Sequence, residues 1–345
     1  MREFSPVLNA PIKKTELNML IKDFLLYLLL IIFCASICAL SVSFILPRLK
    51  NRASQPIYED GPKWHKSKDG TPTMGGIAFI IASIIALVLL LFILPLFTND
   101  RSVALSLFIS LLYSVLNAGI GIFDDLKKIF KKQNKGLGAK DKLILQFLLA
   151  VLFLMARQHF FGDGTALYTP FGSLELGILY YPFAIILLLG IINCANLTDG
   201  LDGLASSVAL TIGICIVLIF PQLSTASIIG AMLSGISLGF LFFNVNPAKI
   251  FMGNTGSLFL GALVVSAAFA LKKPLVSVSL GLLYVTEGIS VILQVVYYKA
   301  TKKRLFKMAP IHHHLEKCGM DENKICIWAI IFTLLSSLLT YLLIT

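Results

Sequence analysis

Ten runs of apolar residues, each close to the length that crosses a bilayer, leave this chain very little choice of fold. A hydrocarbon core about 30 Å thick needs about 20 apolar residues in a helix. With no water there, each spanning segment must satisfy its own backbone N–H and C=O groups. The runs lie at about 22–46, 75–97, 102–123, 143–161, 178–194, 204–220, 226–243, 257–271, 275–298 and 326–343. The fourth, fifth and eighth are short or are interrupted by Arg157, Asn193 and glycines. The expected fold class is all-α: a polytopic membrane protein with about ten transmembrane helices. The connections are too short for a soluble domain, so residues 1–345 are expected to form a single integral membrane domain. A composition of 57% hydrophobic and 14% charged residues agrees with this. The first run follows a polar stretch and is too long for the apolar core of a signal peptide.

A net charge of +11 suits either nucleic acid or a membrane surface, and the placement of the charges favours the membrane. Most of the 29 lysines and arginines fall in one set of alternate loops, at 48–68, 127–142, Lys249 and 299–324. Only Arg2, Lys13, Lys14, Arg101, Lys272 and Lys273 belong to the opposite set. By the positive-inside rule the basic loops are cytoplasmic and both termini extracytoplasmic. The same loops collect His65, His312, His313, His314 and most of the acidic residues, so any chemistry is expected on that face. The six cysteines include no Cys-x-x-Cys pair and are expected to be free thiols.

Five segments carry candidate chemistry. In EDGPKWHKSKDGTPTMGG (59–76), Lys66 and Lys68 suit a polyphosphate, and Gly75 and Gly76 permit a close approach by a helix or a ligand. A basic loop against anionic headgroups is the plainer alternative. In GIFDDLKKIFKKQNKGLGAKDK (121–142), Asp124 and Asp125 followed by lysines suit a metal-bridged phosphate, or else are a helix-ending acidic pair balanced by those lysines. Successive helical side chains differ by about 100°, so one of the two aspartates is expected to face a given site. In NCANLTDGLDGL (193–204), Asp199 and Asp202 stand i, i+3 and would share a helix face with Asn193 and Asn196 behind them. A capping role for Asp199 is the alternative. In FFNVNPAKIFMGNTGS (242–257), the glycine-rich stretch places backbone N–H groups at a helix N-terminus, where anions bind, and Phe251 offers a ring to a base. In APIHHHLEKCG (309–319), three histidines on an irregular loop are expected to converge on one phosphate. Zinc lacks a supporting Cys/His spacing.

From about Pro47 onward the chain resembles the phospho-N-acetylmuramoyl-pentapeptide transferases, within the polyprenyl-phosphate N-acetylhexosamine-1-phosphate transferases. DGPKWHKSKDGTPTMGG and APIHHHLEKCG carry the resemblance most specifically, because the aspartate-rich segments are shared across the superfamily. The resemblance implies a magnesium-dependent transfer of phospho-MurNAc-pentapeptide from UDP-MurNAc-pentapeptide to undecaprenyl phosphate, giving lipid I and UMP. That is the first membrane step of peptidoglycan synthesis, in the bacterial inner (plasma) membrane with the active site facing the cytoplasm. The partners implied are those two substrates and the lipid bilayer, with no nucleic acid; a homodimer is left open.

Residue by residue, the resemblance makes Asp124, with Asp125 beside it, act at the lipid phosphate. It places Asp199 and Asp202 near the nucleotide and makes His312, His313 and His314 the histidine motif. It assigns Asn193, Asn196, Asn244 and Gln294 as polar positions of the site. Lys68, Gly200 and Phe251 hold uridine, and Lys128 and Lys142 face the phosphates. Magnesium falls to Asp124, Asp199 and position 254, where the family has aspartate and this chain has Asn254.

Three alternatives follow. One is a related transferase of GlcNAc-1-phosphate, against which the histidine triplet and the GTPTMGG loop argue. Another is a weakened or inactive homologue, suggested by Asn254. The third is a secondary transporter, whose site would lie at the midplane between repeated halves.

Overall fold

The structure, a computed structural model, describes residues 14–50, 68, 70–131, 136–169 and 172–344. All ten apolar runs are helical. The helices are α1 (Lys14–Leu49), α2 (Ile77–Ile93), α3 (Arg101–Lys131), α4 (Ala139–Phe161), α5 (Tyr180–Thr198), α6 (Leu204–Ile219), α7 (Thr225–Asn244), α8 (Gly253–Ala270), α9 (Val276–Leu280), α10 (Leu282–Thr301), α11 (Ile311–Lys317) and α12 (Glu322–Ile344). One hairpin, β1 (Ala166–Thr169) and β2 (Gly172–Glu175), joins α4 to α5.

Eight of the described helices are long and apolar enough to cross a membrane. The shortfall from the expected ten has two physical causes. At 16 residues α6 is shorter than a bilayer core requires. The 275–298 run is divided at Gly281, whose backbone (φ −90°, ψ 24°) leaves the helical region, into α9 and α10; α10 has 20 residues but is less apolar than the eight, carrying Glu287, Gln294 and Lys299. Elsewhere the ends follow local chemistry. Gly162 terminates α4 in the left-handed conformation, returning its N–H to the Gln158 carbonyl, and the Ser224 hydroxyl caps the start of α7 by accepting from the Ser227 N–H at 3.2 Å.

Helices α7 and α8 form the centre and are buried along nearly their whole length, with α8 packed between α3, α5 and α7. Helix α1 closes on α7 because glycine lines the contact: a Cβ on Gly239 would stand 2.3 Å from the Ala35 carbonyl oxygen. Around this centre α1, α2, α4, α10 and α12 turn large apolar side chains outward, among them Phe44, Phe92, Leu152, Val296 and Leu342. That inverted surface is what hydrocarbon surroundings require. At one end of the bundle buried Arg157 joins three elements, bonding Asp163 (2.7 Å), the Ser106 hydroxyl (2.8 Å) and the Phe269 carbonyl (2.9 Å). Almost all the candidate site residues lie at the other end.

Candidate active site

The site is assembled where the C-terminal ends of α3 and α5 meet the N-terminal end of α8. Three glycines set that meeting. A Cβ on Gly121 of α3 would lie 2.4 Å from the Asn254 carbonyl oxygen, and one on Gly76 would lie 2.2 Å from the Gly256 nitrogen. Gly75 and Gly76 donate their N–H groups to the Phe251 and Met252 carbonyls (2.9 and 3.0 Å), and the Phe251 N–H donates to Pro72 (2.8 Å). The TPTMGG segment is thus bound to the loop before α8, and its glycines serve the approach of a helix.

Asp124 and Asp125 are both buried and do different work. Asp124 lies 2.7 Å from Lys128 Nζ and accepts the Leu137 N–H (2.7 Å) and the Asn254 side-chain amide. Asp125 turns to α8, where its two oxygens accept the N–H groups of Asn254 (3.1 Å) and Thr255 (2.9 Å) and the Thr255 hydroxyl (2.8 Å). The anion expected at this helix N-terminus is therefore the protein's own carboxylate.

The expectation that Asp199 and Asp202 share a helix face is corrected. Gly200 and Gly203 break the chain out of helix, and residues 199–203 form the turn between α5 and α6, with Gly203 at φ 77°. Asp202 is tied down: Lys68 Nζ stands 2.7 Å away, and the Asn246 amide (3.2 Å) and Ala248 N–H (3.0 Å) donate to its second oxygen. Lys68 also meets Glu322 at 2.7 Å, and Glu322 accepts the Asp202 N–H (3.0 Å). The other candidate lysine of that segment, Lys66, lies outside the described residues. Asp199 is partly buried, and among the described residues its carboxylate has no hydrogen-bond or ion-pair partner. Burial, together with the nearby carboxylates of Asp125 and Asp202, pushes its pKa well above the usual range against the pull of Lys128.

A polar relay connects these groups. Lys142 donates to Asn196 Oδ1 (3.0 Å), and the Asn196 side-chain N–H groups donate to Asn254 Oδ1 (2.7 Å) and to the Ser257 hydroxyl (2.7 Å). Asn254 in turn donates to Asp124. Asn193 bonds the Gln146 side chain (2.8 Å), one turn back from the relay. Buried Asn244 is a fastener: it accepts the Gly203 N–H (3.2 Å) and the Ser206 hydroxyl (3.1 Å) and donates to the Ile250 carbonyl (2.9 Å). Gln294 accepts the Phe306 N–H (2.8 Å) and shapes the loop leading to the histidines. Phe251 is partly exposed beside these groups.

The histidines stand on a helix, α11, and this corrects the expected irregular loop. His312 is buried against Gly200 and its ring meets that of His313 edge-on, with centroids 4.2 Å apart; His313 also pairs with Glu316 (2.9 Å). His314 is turned elsewhere, accepting the Lys307 N–H (3.1 Å) and packing on Phe306, so the three rings do not share one set of partners.

Sequence reasoning missed Glu287, Gln146 and Glu322 as members of the site. Glu287 had a signal: an ionisable residue inside an apolar run is a functional candidate. The six cysteines are free, as expected.

The sequence is similar to those of known proteins. Residues 107–272 match the family described as glycosyl transferase family 4, and residues 68–80 match phospho-N-acetylmuramoyl-pentapeptide-transferase signature 1. The chain is 38% identical over 315 residues to the phospho-N-acetylmuramoyl-pentapeptide-transferase of Caldicellulosiruptor bescii, covering 90% of this chain and 95% of that protein. It is 44% identical over 287 residues to the same-named protein of Clostridium perfringens (81% and 87% covered) and 40% over 324 residues to that of Clostridium kluyveri (91% and 98%). This chain, a polytopic α-helical membrane protein, belongs to the family of phospho-N-acetylmuramoyl-pentapeptide transferases.

Proposed function

We propose that the chain transfers phospho-MurNAc-pentapeptide from UDP-MurNAc-pentapeptide to undecaprenyl phosphate, forming lipid I and releasing UMP. The observation that carries the reading is the bare carboxylate of Asp199 in the field of Lys128, next to the Lys142–Asn196–Asn254 relay, at one end of a lipid-facing bundle. There a water-borne nucleotide sugar and a membrane-borne phosphate can meet. The lysine and arginine distribution supports placing this end in the cytoplasm and the protein in the bacterial plasma membrane.

Phosphoryl transfer depends chiefly on positioning and charge neutralisation. A phosphate monoester with a second pKa of about 6 is already anionic near neutrality, so the lipid phosphate attacks the donor diphosphate in line. Lys128 and Lys142 draw the phosphates in, and Asp124, held by Lys128 and the Leu137 N–H, orients the nucleophile or takes its last proton. Lys68 holds the 199–203 turn against Glu322 and so shapes the nucleotide side.

Magnesium is the proposed cofactor. Its preference for oxygen ligands suits the Asp124 and Asp199 carboxylates and the Asn254 amide oxygen, and the bare Asp199 carboxylate fits a cation. The fit is that of a weak site, because Asn254 turns its amide nitrogen to Asp124 and its oxygen already accepts from Asn196. When bound, the ion would neutralise diphosphate charge.

Release of UMP from UDP-MurNAc-pentapeptide, dependent on undecaprenyl phosphate, tests the proposal, with UDP-GlcNAc assayed alongside. Preference for UDP-GlcNAc would move the chain to the related transferases, and a phosphosugar–enzyme intermediate in rapid quench would overturn the single displacement. Asn254 favours one second reading, a homologue that binds substrate and turns over poorly. Binding of UDP-MurNAc-pentapeptide without UMP release would select it.

A further inference from the structure

The buried pair Glu287–His312 stands apart from the acid–lysine cluster and has no assigned work. Both side chains are almost wholly enclosed, at 2% and 1% exposure. Glu287 comes from α10, and its Oε2 receives the His312 backbone N–H at 3.3 Å while His312 Nδ1 lies 3.1 Å away, off the line of a full hydrogen bond. The ring thus has one edge against a carboxylate. The other edge, Nε2, faces the turn between α5 and α6: a Cβ on Gly200 would stand 2.3 Å from it. Nε2 has no hydrogen-bond partner, although a buried ring nitrogen ordinarily has one. The 199–203 turn also carries Asp199 and Asp202, so the atom lacking a partner lies against the turn that shapes the nucleotide side of the site.

We propose that Glu287 is a positioning residue: it accepts the His312 Nδ1–H and fixes the ring so that Nε2, once it takes a proton from solvent as substrate arrives, donates to a phosphate oxygen above Gly200. A carboxylate beside one imidazole nitrogen sets the tautomer and orientation of the other, the relation that tunes histidines at metal and catalytic sites. The absence of side-chain bulk at Gly200 is required by the same geometry, since any Cβ there displaces the ring. His313 and His314 are engaged with Glu316 and with Lys307, so the inference concerns His312 alone. It rests on the reading of this end as a phosphosugar transferase.

The test is a double-mutant cycle on the full chain in detergent or nanodiscs, using UDP-MurNAc-pentapeptide and an undecaprenyl phosphate acceptor. Glu287→Gln is expected to lower kcat by about ten- to a hundredfold, with KM for the nucleotide sugar changing far less. Glu287→Asp should recover a substantial part of that loss. In a His312→Asn background Glu287→Gln should have little further effect, because the two act through one ring. Additive losses, or no rescue by aspartate, would overturn the inference. Ring 15N signals of histidine-labelled protein separate this from the functional reading: the His312 resonances should report a proton on Nδ1 in the parent and change in Glu287→Gln. Unchanged ring signals in a folded variant would refute the positioning role even if UMP release is confirmed. Parent protein that releases no UMP but shows the expected signals would sink the functional reading alone. If Glu287→Gln fails to fold, Gly200→Ala is the second variant, expected to fold, to shift the same ring signals and to lose kcat; normal kcat there would also overturn the inference.

Discussion

Asn254→Asp places a third carboxylate where the structure now holds a neutral amide, and its consequences can be worked from the contacts. In the present chain the Asn254 amide donates to Asp124 and accepts from Asn196. The substitution removes a hydrogen bond to a charged acceptor, worth about 1.5–3 kcal/mol. It also sets two carboxylates side by side, a repulsion of about 4 kcal/mol at about 4 Å and an effective dielectric of about 20. Lys128, 2.7 Å from Asp124, offsets part of this. Without metal the variant should therefore be less stable by several kcal/mol. A cation that binds only the folded state returns about 2.7 kcal/mol at a hundred times its Kd. Thermal unfolding in detergent, with chelator and then across a magnesium titration, reads the effect directly. The expected result is a nearly flat Tm for the present chain and a Tm for the variant that starts lower and climbs with magnesium. In parallel, UMP release should reach half its maximum at lower magnesium in the variant. Superimposable magnesium titrations of Tm and activity in the two proteins would refute the placement of residue 254 at the metal.

Three further outcomes follow from the same contacts. Asp125→Ala strands two buried N–H groups and a hydroxyl at the start of α8, at about 1–3 kcal/mol each; the expected result is loss of folded protein on size-exclusion chromatography, where Asp124→Ala leaves folded but inactive material. Asp199→Asn is expected to abolish UMP release yet raise Tm at neutral pH, by about 1–2 °C per kcal/mol relieved. The sign follows from the raised pKa. A carboxylate held above its unfolded value favours the fold only while protonated, so its ionised form opposes the fold as pH rises. The gain in Tm should therefore shrink toward acid pH, and equal Tm values at all pH would contradict it. Lys68→Met removes the charge shared by Asp202 and Glu322 and should raise KM for the nucleotide sugar about tenfold, the worth of one charge-assisted hydrogen bond, with a smaller change in kcat.

Much of the architecture was legible because a bilayer imposes a length and a polarity on each element. All ten apolar runs are helices; the two that stand outside the eight clear spans do so through the short α6 and through the polar residues of α10. The site was legible as a set of segments and less so as geometry. Asp199 and Asp202 read as one helix face because spacing carries no information on where glycine ends a helix; Gly200 and Gly203 end it between them. The histidines read as a loop because Pro310 and the dense polar residues suggest one, yet α11 follows and turns His314 away from the His312–His313 pair. Long-range partners were beyond periodicity altogether. Nothing local to Lys68 points to Asp202 and Glu322, which lie 134 and 254 residues away.

The occupied N-terminus of α8 decides how a phosphate is bound here. A glycine-rich stretch opening a helix ordinarily offers its N–H groups to an anion. In this chain Asp125 takes the Asn254 and Thr255 N–H groups, and Asn254 spends its side chain between Asp124 and Asn196. Substrate phosphates therefore fall to side chains. The available ones come from different elements: Lys128 from α3, Lys142 from α4, and the unpartnered His312 Nε2 from α11. A site built from side chains of separate helices works only if the helices keep their spacing. That gives the Asp125 clasp between α3 and α8, and the close contact of Gly121 with Asn254, a direct part in function although neither needs to touch substrate. A lost clasp should thus lower the affinity for both substrates together, whereas a lost lysine should weaken one more than the other.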